Sequence, residues 1–342
     1  MAKVVLHIGA HKTATSYLQG AFHRNRDMLE RAGLYYPHIG PNNAHHALAA
    51  PWLDIRDIPD SFYGARGPEG LWQDLVVTYA ARPGTLFLTA ENFTRCFPAK
   101  VDMGELAERL SVFKEVQIVY TMRRQVDLVP SVWAQISKMN HMPSIWAFMR
   151  IVFDERRAKG VPIDHGMVYQ DLLTGFAPEQ IHLMDYASFA RHPDGVVGMF
   201  LDLLEVDVAA ATLVPPSRKE ANISPDPLAL FVAGGVTGDA TRPPPAELVG
   251  YLSEALDRIC GRPRTVLARH EYRKLRERFR HGNQTLAAQV QPVQPGFTFD
   301  EGSEPEELVF RDNLDDRAWM EIAQAVYHMP RQEKSGLRRI LP

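Results

Sequence analysis

Apolar and polar positions fall into two regimes along the chain. In the first half, short apolar runs rich in β-branched residues alternate with segments whose apolar positions recur at helical spacing, the pattern of a parallel α/β sheet. Val4, Val5, Leu6 and Ile8 predict a first buried strand, which breaks at Gly9. Thr85–Ala90 (TLFLTA), after a Pro83-Gly84 turn, predicts a second, Glu115–Met122 (EVQIVYTM) a third and Ile181–Asp185 (IHLMD) a fourth. Helical spacing follows through Leu18, Phe22 and Leu29, again from Val126 to Met139, and from Gly195 to Leu204. Beyond Asp207, prolines at 215–216, 225, 227 and 243–245 break the chain into short pieces. Two longer helices are predicted there, Ala246–Cys260 and Arg269–Val290. In the second, Tyr272, Leu275, Phe279 and Leu286 share one stripe and Arg269, Arg273, Arg276 and Arg280 another. The plan is one domain over 1–342. An α/β core at 1–207 would form a three-layer sandwich around a parallel sheet of four or five strands, with a mainly helical part at 208–342.

Between the first strand and its helix lies KVVLHIGAHKTATSYLQ, residues 3–19. A short loop carries Gly9, His11 and Lys12, and hydroxyls crowd the helix start at Thr13, Thr15 and Ser16. A helix start offers unpaired N–H groups and a partial positive charge, so this arrangement predicts a site for a phosphate-like anion. A plain helix cap would explain the hydroxyls but not the strand before them or the lysine among them. The nucleotide-triphosphate loop G-x-x-x-x-G-K-[ST] is not matched, because His11 precedes Lys12 and Gly9 is the one nearby glycine.

Composition narrows the setting. Of 342 residues 45% are hydrophobic and 23% charged, ordinary globular values with length enough for a real core. A net charge of −3 argues against general nucleic-acid binding. Cys96 and Cys260 form no disulfide or metal-ligand pattern, which fits a reducing compartment. No stretch reads as a signal peptide or a membrane span, so a soluble cytoplasmic protein is expected. Oligomeric state leaves no trace in the sequence.

With these residues in hand, the loop resembles the 5′-phosphosulfate loop of sulfotransferases that use 3′-phosphoadenosine 5′-phosphosulfate (PAPS), in particular a bacterial branch reading H-K-T-G-T-[TS]. A second motif of that family is an arginine at a strand end with a serine eight positions later, which hold the cofactor's 3′-phosphate. Here Arg123 follows the third strand and Ser131 stands eight residues on, with Asp127 between them. An arginine at the carboxyl end of a parallel strand faces the ligand crevice, and its planar fork suits phosphate. Tyr186 in DYASFARHPDGVVGMFLDLLEV, the ANISPDPLALF stretch and Asn283 in FRHGNQTLA also resemble family segments. Ala14 stands where the family has glycine, and a negative φ is expected there.

The resemblance implies a P-loop-like fold and sulfonate transfer from PAPS to a hydroxyl or amine of a carbohydrate, lipid or small molecule. Lys12 would neutralise the leaving diphosphate. Gly9, His11, Thr13, Ala14, Thr15 and Ser16 would cradle the phosphosulfate, and Arg123 and Ser131 would hold the 3′-phosphate. No metal is expected. A base must take the acceptor's proton. Glu91 is one candidate, because it ends the strand TLFLTA on the crevice side, and the His45-His46 pair is the other. His7 reads as a satisfied core histidine and the arginine stripe as a solvated helix face. Trp133 and Trp146 read as core or acceptor-pocket residues, and Tyr17 as an adenine contact. Acceptor-binding loops are expected at 37–70 and 139–164. Two other functions stay open, a divergent ATP-dependent phosphotransferase and a non-catalytic anion-binding module of the same fold.

Overall fold

The computed structural model describes residues 1–139, 141–217 and 224–329. The chain divides into two compact units, each made of separated segments. The first holds residues 1–124, 159–223 and 279–300, and the second 125–158, 224–278 and 301–342. The sequence suggests instead a change of character at Asp207; the division separates the chain immediately after Arg124, within what reads as continuous α/β alternation.

The first unit is a five-stranded, all-parallel sheet. Its strands are β1 (Lys3–His7), β2 (Leu34–Tyr35), β3 (Thr85–Thr89), β4 (Glu115–Met122) and β5 (Ile181–Asp185), in the order β2-β3-β1-β4-β5. All four expected strands are present; the added edge strand β2 has two residues, too short for a periodic signal. Strand order reverses around β1, so the crevice beyond its carboxyl end is the topological switch point where open parallel sheets bind ligands.

Side-chain alternation along each strand feeds two cores, one per face, and makes three layers. Val4 and Leu6 share a core with Leu86, Leu88, Ile118 and Tyr120. Helices α3 (Gly67–Tyr79), α4 (Met103–Leu110) and α7 (His165–Leu172) cover it with Trp72, Leu75, Leu106, Leu110, Val168 and Leu172. Val5, Phe87 and Val119 face the opposite way. There they meet Leu18 and Phe22 of α1 (Thr15–Arg24), Leu29 of α2 (Arg26–Arg31), Phe189 of α8 (Tyr186–Phe189), and Phe200 and Leu201 of α9 (Gly195–Leu203). The expected loop at 37–70 thus runs into a helix start at Gly67.

The described part of the second unit is helical. It contains α5 (Gln125–Met139), α6 (Ile145–Glu155), α10 (Pro227–Thr237), α11 (Ala246–Ile259), the first part of α12 (Arg269–Val290) and α13 (Asp316–Tyr327). Helix α6 occupies much of the stretch expected to be an acceptor loop, because Ile145, Phe148, Met149 and Val152 are buried along one face. Proline does not break α10, since Pro227 sits in its first turn, where an N–H is not needed. Asp226 caps that helix through the Leu228 and Ala229 N–H groups. Residues 221–223 of the ANISPDPLALF stretch and the last residues of the expected helical part, 330–342, lie outside the described residues. No helix among the described residues is long and apolar enough to cross a membrane.

Candidate active site

Residues Gly9 to Ser16 leave β1 at the switch point. The loop is tied to β4 by the Ala10 N–H to Thr121 O bond at 2.8 Å and the Thr121 N–H to Gly9 O bond at 3.0 Å. Backbone φ is positive at Gly9 (79°), Lys12 (65°) and Ala14 (60°). Left-handed residues alternating with right-handed ones turn successive N–H groups to the same side and form an anion-binding nest. The expected negative φ at Ala14 is therefore corrected. Ala14 is left-handed because the turn into α1 requires it, and alanine bears a strain of about 1–2 kcal/mol there that glycine would not. Helix α1 has no side-chain cap. The Tyr17 and Leu18 N–H groups both return to the Ala14 carbonyl, and the N–H groups before them have no intrahelical acceptor.

The hydroxyls at the helix start are not all turned toward this concavity. Thr13 Oγ1 donates to Ala10 O at 2.7 Å, and Thr15 Oγ1 donates to Glu91 Oε1. A hydroxyl has one proton, so neither can donate to an anion in this arrangement. The donors the loop itself can offer are its backbone N–H groups, half-buried Ser16 and half-buried Lys12.

Glu91 directly follows Ala90 at the end of β3 and is buried. Gly9 lies against it: a Cβ there would stand 2.8 Å from Glu91 Cγ. Besides Thr15, the carboxylate accepts from Gln19 Nε2 at 3.3 Å, and its Oε2 lies 3.5 Å from His46 Nε2. Burial alone would raise its pKa, but His46, His11 and the Thr15 hydroxyl outweigh burial and hold it at about 2. Gln19 escapes notice in the sequence; its signal is the spacing from Thr15, four residues along the same face of α1.

Adjacent histidines take opposite parts. His45 is buried, and its Nδ1 accepts the Thr89 N–H at 2.9 Å while Nε2 donates to Pro37 O at 2.8 Å. Both nitrogens are thus occupied by backbone, and burial depresses the pKa to about 4. His45 can neither take nor give a proton at a substrate in this arrangement, which corrects its candidacy as a base. It clamps the end of β3 and so presents His46, the first residue of a short 3-10 turn, to Glu91. Among the described residues His46 Nδ1 is buried and without a hydrogen-bond partner, as is Nε2 of His11. Burial lowers the His11 pKa to about 4 despite the opposing pull of Glu91. His7 is the satisfied core histidine its position suggests, bonded to Thr89 Oγ1 at 3.0 Å and Thr121 Oγ1 at 3.2 Å.

Arg123 directly follows Met122, the last residue of β4, and donates to the Lys12 carbonyl, which ties strand end to loop. Its guanidinium lies over the Tyr186 ring, 4.9 Å from the centroid. The strand end is fixed by a relay in which Tyr120 OH donates to His165 Nδ1 and His165 Nε2 to Arg123 O, both at 2.8 Å. The first unit therefore brings together the loop, Glu91, His46 and Arg123. Ser131 is buried on α5, in the second unit.

The other candidates lie as follows. Tyr17 is 38% exposed. In the second unit, Trp133 is buried and donates to Pro143 O, while exposed Trp146 packs edge-on against Phe231. The arginine stripe is not simply solvated: Arg269 and Arg273 pair with Glu304, and Arg276 donates to Gly302 O at 2.7 Å. Cys96 and Cys260 are free thiols, and among the described residues no group of His, Cys, Asp or Glu is placed to hold a metal ion.

No family model matches the sequence, and no curated protein matches it. Solved structures to which the chain is similar include a sulfotransferase from Alicyclobacillus acidocaldarius, 19% identical, covering 68% of this chain and 92% of that one with a TM-score of 0.38. The sulfotransferase domain from the curacin biosynthetic pathway is 12% identical over 75% of this chain and 98% of that one, also with a TM-score of 0.38. Retinol dehydratase in complex with androsterone and the inactive cofactor PAP is 12% identical, covering 98% of this chain and 82% of that one with a TM-score of 0.32.

Proposed function

We propose that this chain transfers a sulfonate group from PAPS to a hydroxyl or amine of a carbohydrate, lipid or small-molecule acceptor. The observation that carries this reading is the left-handed alternation at Lys12 and Ala14, which builds an anion nest beside a lysine at an uncapped helix start. Strained backbone at non-glycine residues clusters at active sites and ligand clamps.

The donor set fits the phosphosulfate end of PAPS, a group rich in acceptor oxygens. Backbone N–H groups from the loop and first turn of α1 would hold those oxygens, with Ser16 added. Lys12, within the nest, would balance the charge that collects on the departing phosphate, a preorganised electrostatic role. Arg123 would meet the second anionic group of the same molecule, as its fork geometry suits. PAPS supplies the electrophilic sulfonate and its leaving group; the protein's share is orientation and charge stabilisation. Thr13 and Thr15 keep the loop in shape rather than bind directly, since their protons are spent on Ala10 and Glu91.

Titration calorimetry with adenosine 3′,5′-diphosphate and with ATP·Mg²⁺ tests the reading. Binding of the diphosphate without metal is expected, and Arg123→Ala should weaken it about 10- to 100-fold, the range for one charge-assisted contact. Lys12→Ala should lower transfer of labelled sulfonate from PAPS to an acceptor panel by about 10²–10³-fold. Binding of ATP alone, and only with metal, would overturn sulfonate transfer in favour of a phosphotransferase.

A further inference from the structure

The carboxyl ends of β3 and β4 are each held by a buried histidine from outside the sheet. His45 accepts the Thr89 N–H at the first, and His165, the first residue of α7, donates to the Arg123 carbonyl at the second. The ladder between β4 and β5 ends with Met122 opposite Asp185, one residue short of Arg123. His165 thus holds the strand just where the ladder stops, at a residue that faces the ligand crevice.

Each part of this clamp is fixed by another. A carbonyl only accepts, so His165 Nε2 carries the proton and the lone pair falls on Nδ1. Tyr120 OH, buried on β4, donates to that lone pair at 2.8 Å, which locks the tautomer. The rings of Tyr120 and Phe299 stand edge-on to His165, at centroid distances of 5.7 and 5.6 Å, and set its plane. Burial lowers the His165 pKa to about 4, so the ring keeps this bonding pattern at neutral pH. Asp164 accepts the Gly166 N–H at 3.0 Å and caps α7, which fixes the backbone that carries the ring. The Arg123 side chain is fastened as well, by its bond to the Lys12 carbonyl and by the Tyr186 ring 4.9 Å away. A guanidinium fork grips two oxygens at once only when its plane is set in advance, and a misplacement of about 1 Å forfeits much of the gain. Without the His165 bond the strand end, and Arg123 with it, is free to drift.

We propose that His165 is a positioning residue for donor selectivity: through the Arg123 carbonyl it presets the guanidinium for the 3′-phosphate of PAPS. The inference rests on the sulfonate-transfer reading. It makes a wholly buried ring, which touches neither cofactor nor acceptor, a determinant of which adenine nucleotide is taken up.

Titration calorimetry on the full chain with two probes tests this: adenosine 3′,5′-diphosphate, and adenosine 5′-phosphosulfate, which lacks the 3′-phosphate. His165→Phe should weaken the diphosphate about tenfold and leave the phosphosulfate within about twofold of wild type. His165→Gln, whose amide can donate to the carbonyl and accept from Tyr120, should bring the diphosphate back to within about threefold. On the Arg123→Ala background His165→Phe should add nothing, because the group it presets is gone. Should His165→Phe not fold, Tyr120→Phe reads the same selectivity at about three- to fivefold, since the imidazole remains and only its tautomer lock is lost. A loss shared by both probes, or one that adds in full to that of Arg123→Ala, would overturn the positioning role and leave the proposed function standing. A wild-type chain that binds neither probe overturns both.

Discussion

Two charged regions of this molecule are built on opposite plans. At the loop after β1, a helix start without a side-chain cap stands beside a lysine, and the nearby carboxylate is buried and spent on Thr15, Gln19 and His46. On α12, by contrast, side-chain cations are met by an acidic segment: Glu304 takes Arg269 and Arg273, and the Gly302 carbonyl takes Arg276. The stripe carries four arginines against the loop's one lysine, yet the sequence reads the loop as the anion site and the stripe as a solvated helix face. The comparison teaches that a count of positive side chains is a poor guide to anion binding. What matters is whether donors are already satisfied within the fold, and the loop's are backbone groups that no intrahelical acceptor can reach.

The largest expected effect concerns buried histidines around the first region. Burial depresses His7, His11, His45 and His165 from 6.5 to about 4. A histidine whose folded pKa lies below its unfolded value stabilises the fold fully above pH 6.5, because only the unfolded chain binds the proton between the two values. That stability is lost as pH falls from 6.5 toward 4, by up to about 3 kcal/mol per group. Urea midpoints should be level above pH 7 and fall steeply below 6.5. A flat profile down to pH 5 would mean that these rings are not buried neutral.

Two substitutions in the loop sharpen the contrast further. Gly9→Ala puts a Cβ 2.8 Å from Glu91 Cγ at a φ of 79°, so it should destabilise by about 2–4 kcal/mol and weaken diphosphate binding. Ala14→Gly removes left-handed strain at the cost of a looser unfolded chain, and a gain of about 0.5–1 kcal/mol is expected. Denaturant midpoints read both, and a loss of stability in Ala14→Gly would refute strain at that position.

The smallest effect belongs to the α12 region. Glu304→Gln weakens the pairing of a half-buried carboxylate with half-buried Arg269 and exposed Arg273, and the melting temperature should move by less than about 2 °C. Diphosphate affinity should be unchanged. A marked gain in affinity would show the stripe to be an anion site masked by Glu304, and the comparison would fail.

Much of this was legible along the chain, and the limits have physical causes. The four longer strands are plain because β-branched runs buried on both faces need no context to be recognised. Lys12, the hydroxyl cluster and Arg123 are plain because they sit at element ends, where loop chemistry is local. Ala14 misleads, since alanine gives no hint of a left-handed backbone imposed by the turn it occupies. The histidine pair misleads for another reason. Neighbouring residues point in different directions, and which ring meets Glu91 depends on β3, more than forty residues away. Thr15 and Gln19 become partners of Glu91 only when α1 and the end of β3 are brought side by side.

The sequence by itself determined the parallel α/β core, the anion loop between β1 and α1, and the presence of an arginine at the end of β4. Periodicity and turn chemistry act over a few residues, and so they can be read without a fold. Only the tertiary structure decided which hydroxyls are turned away from the nest, which histidine is clamped and which faces a carboxylate, and which arginines are already neutralised. Those are questions of who satisfies whom across distant segments, and a hydrogen bond or an ion pair has no identity until both partners are in place.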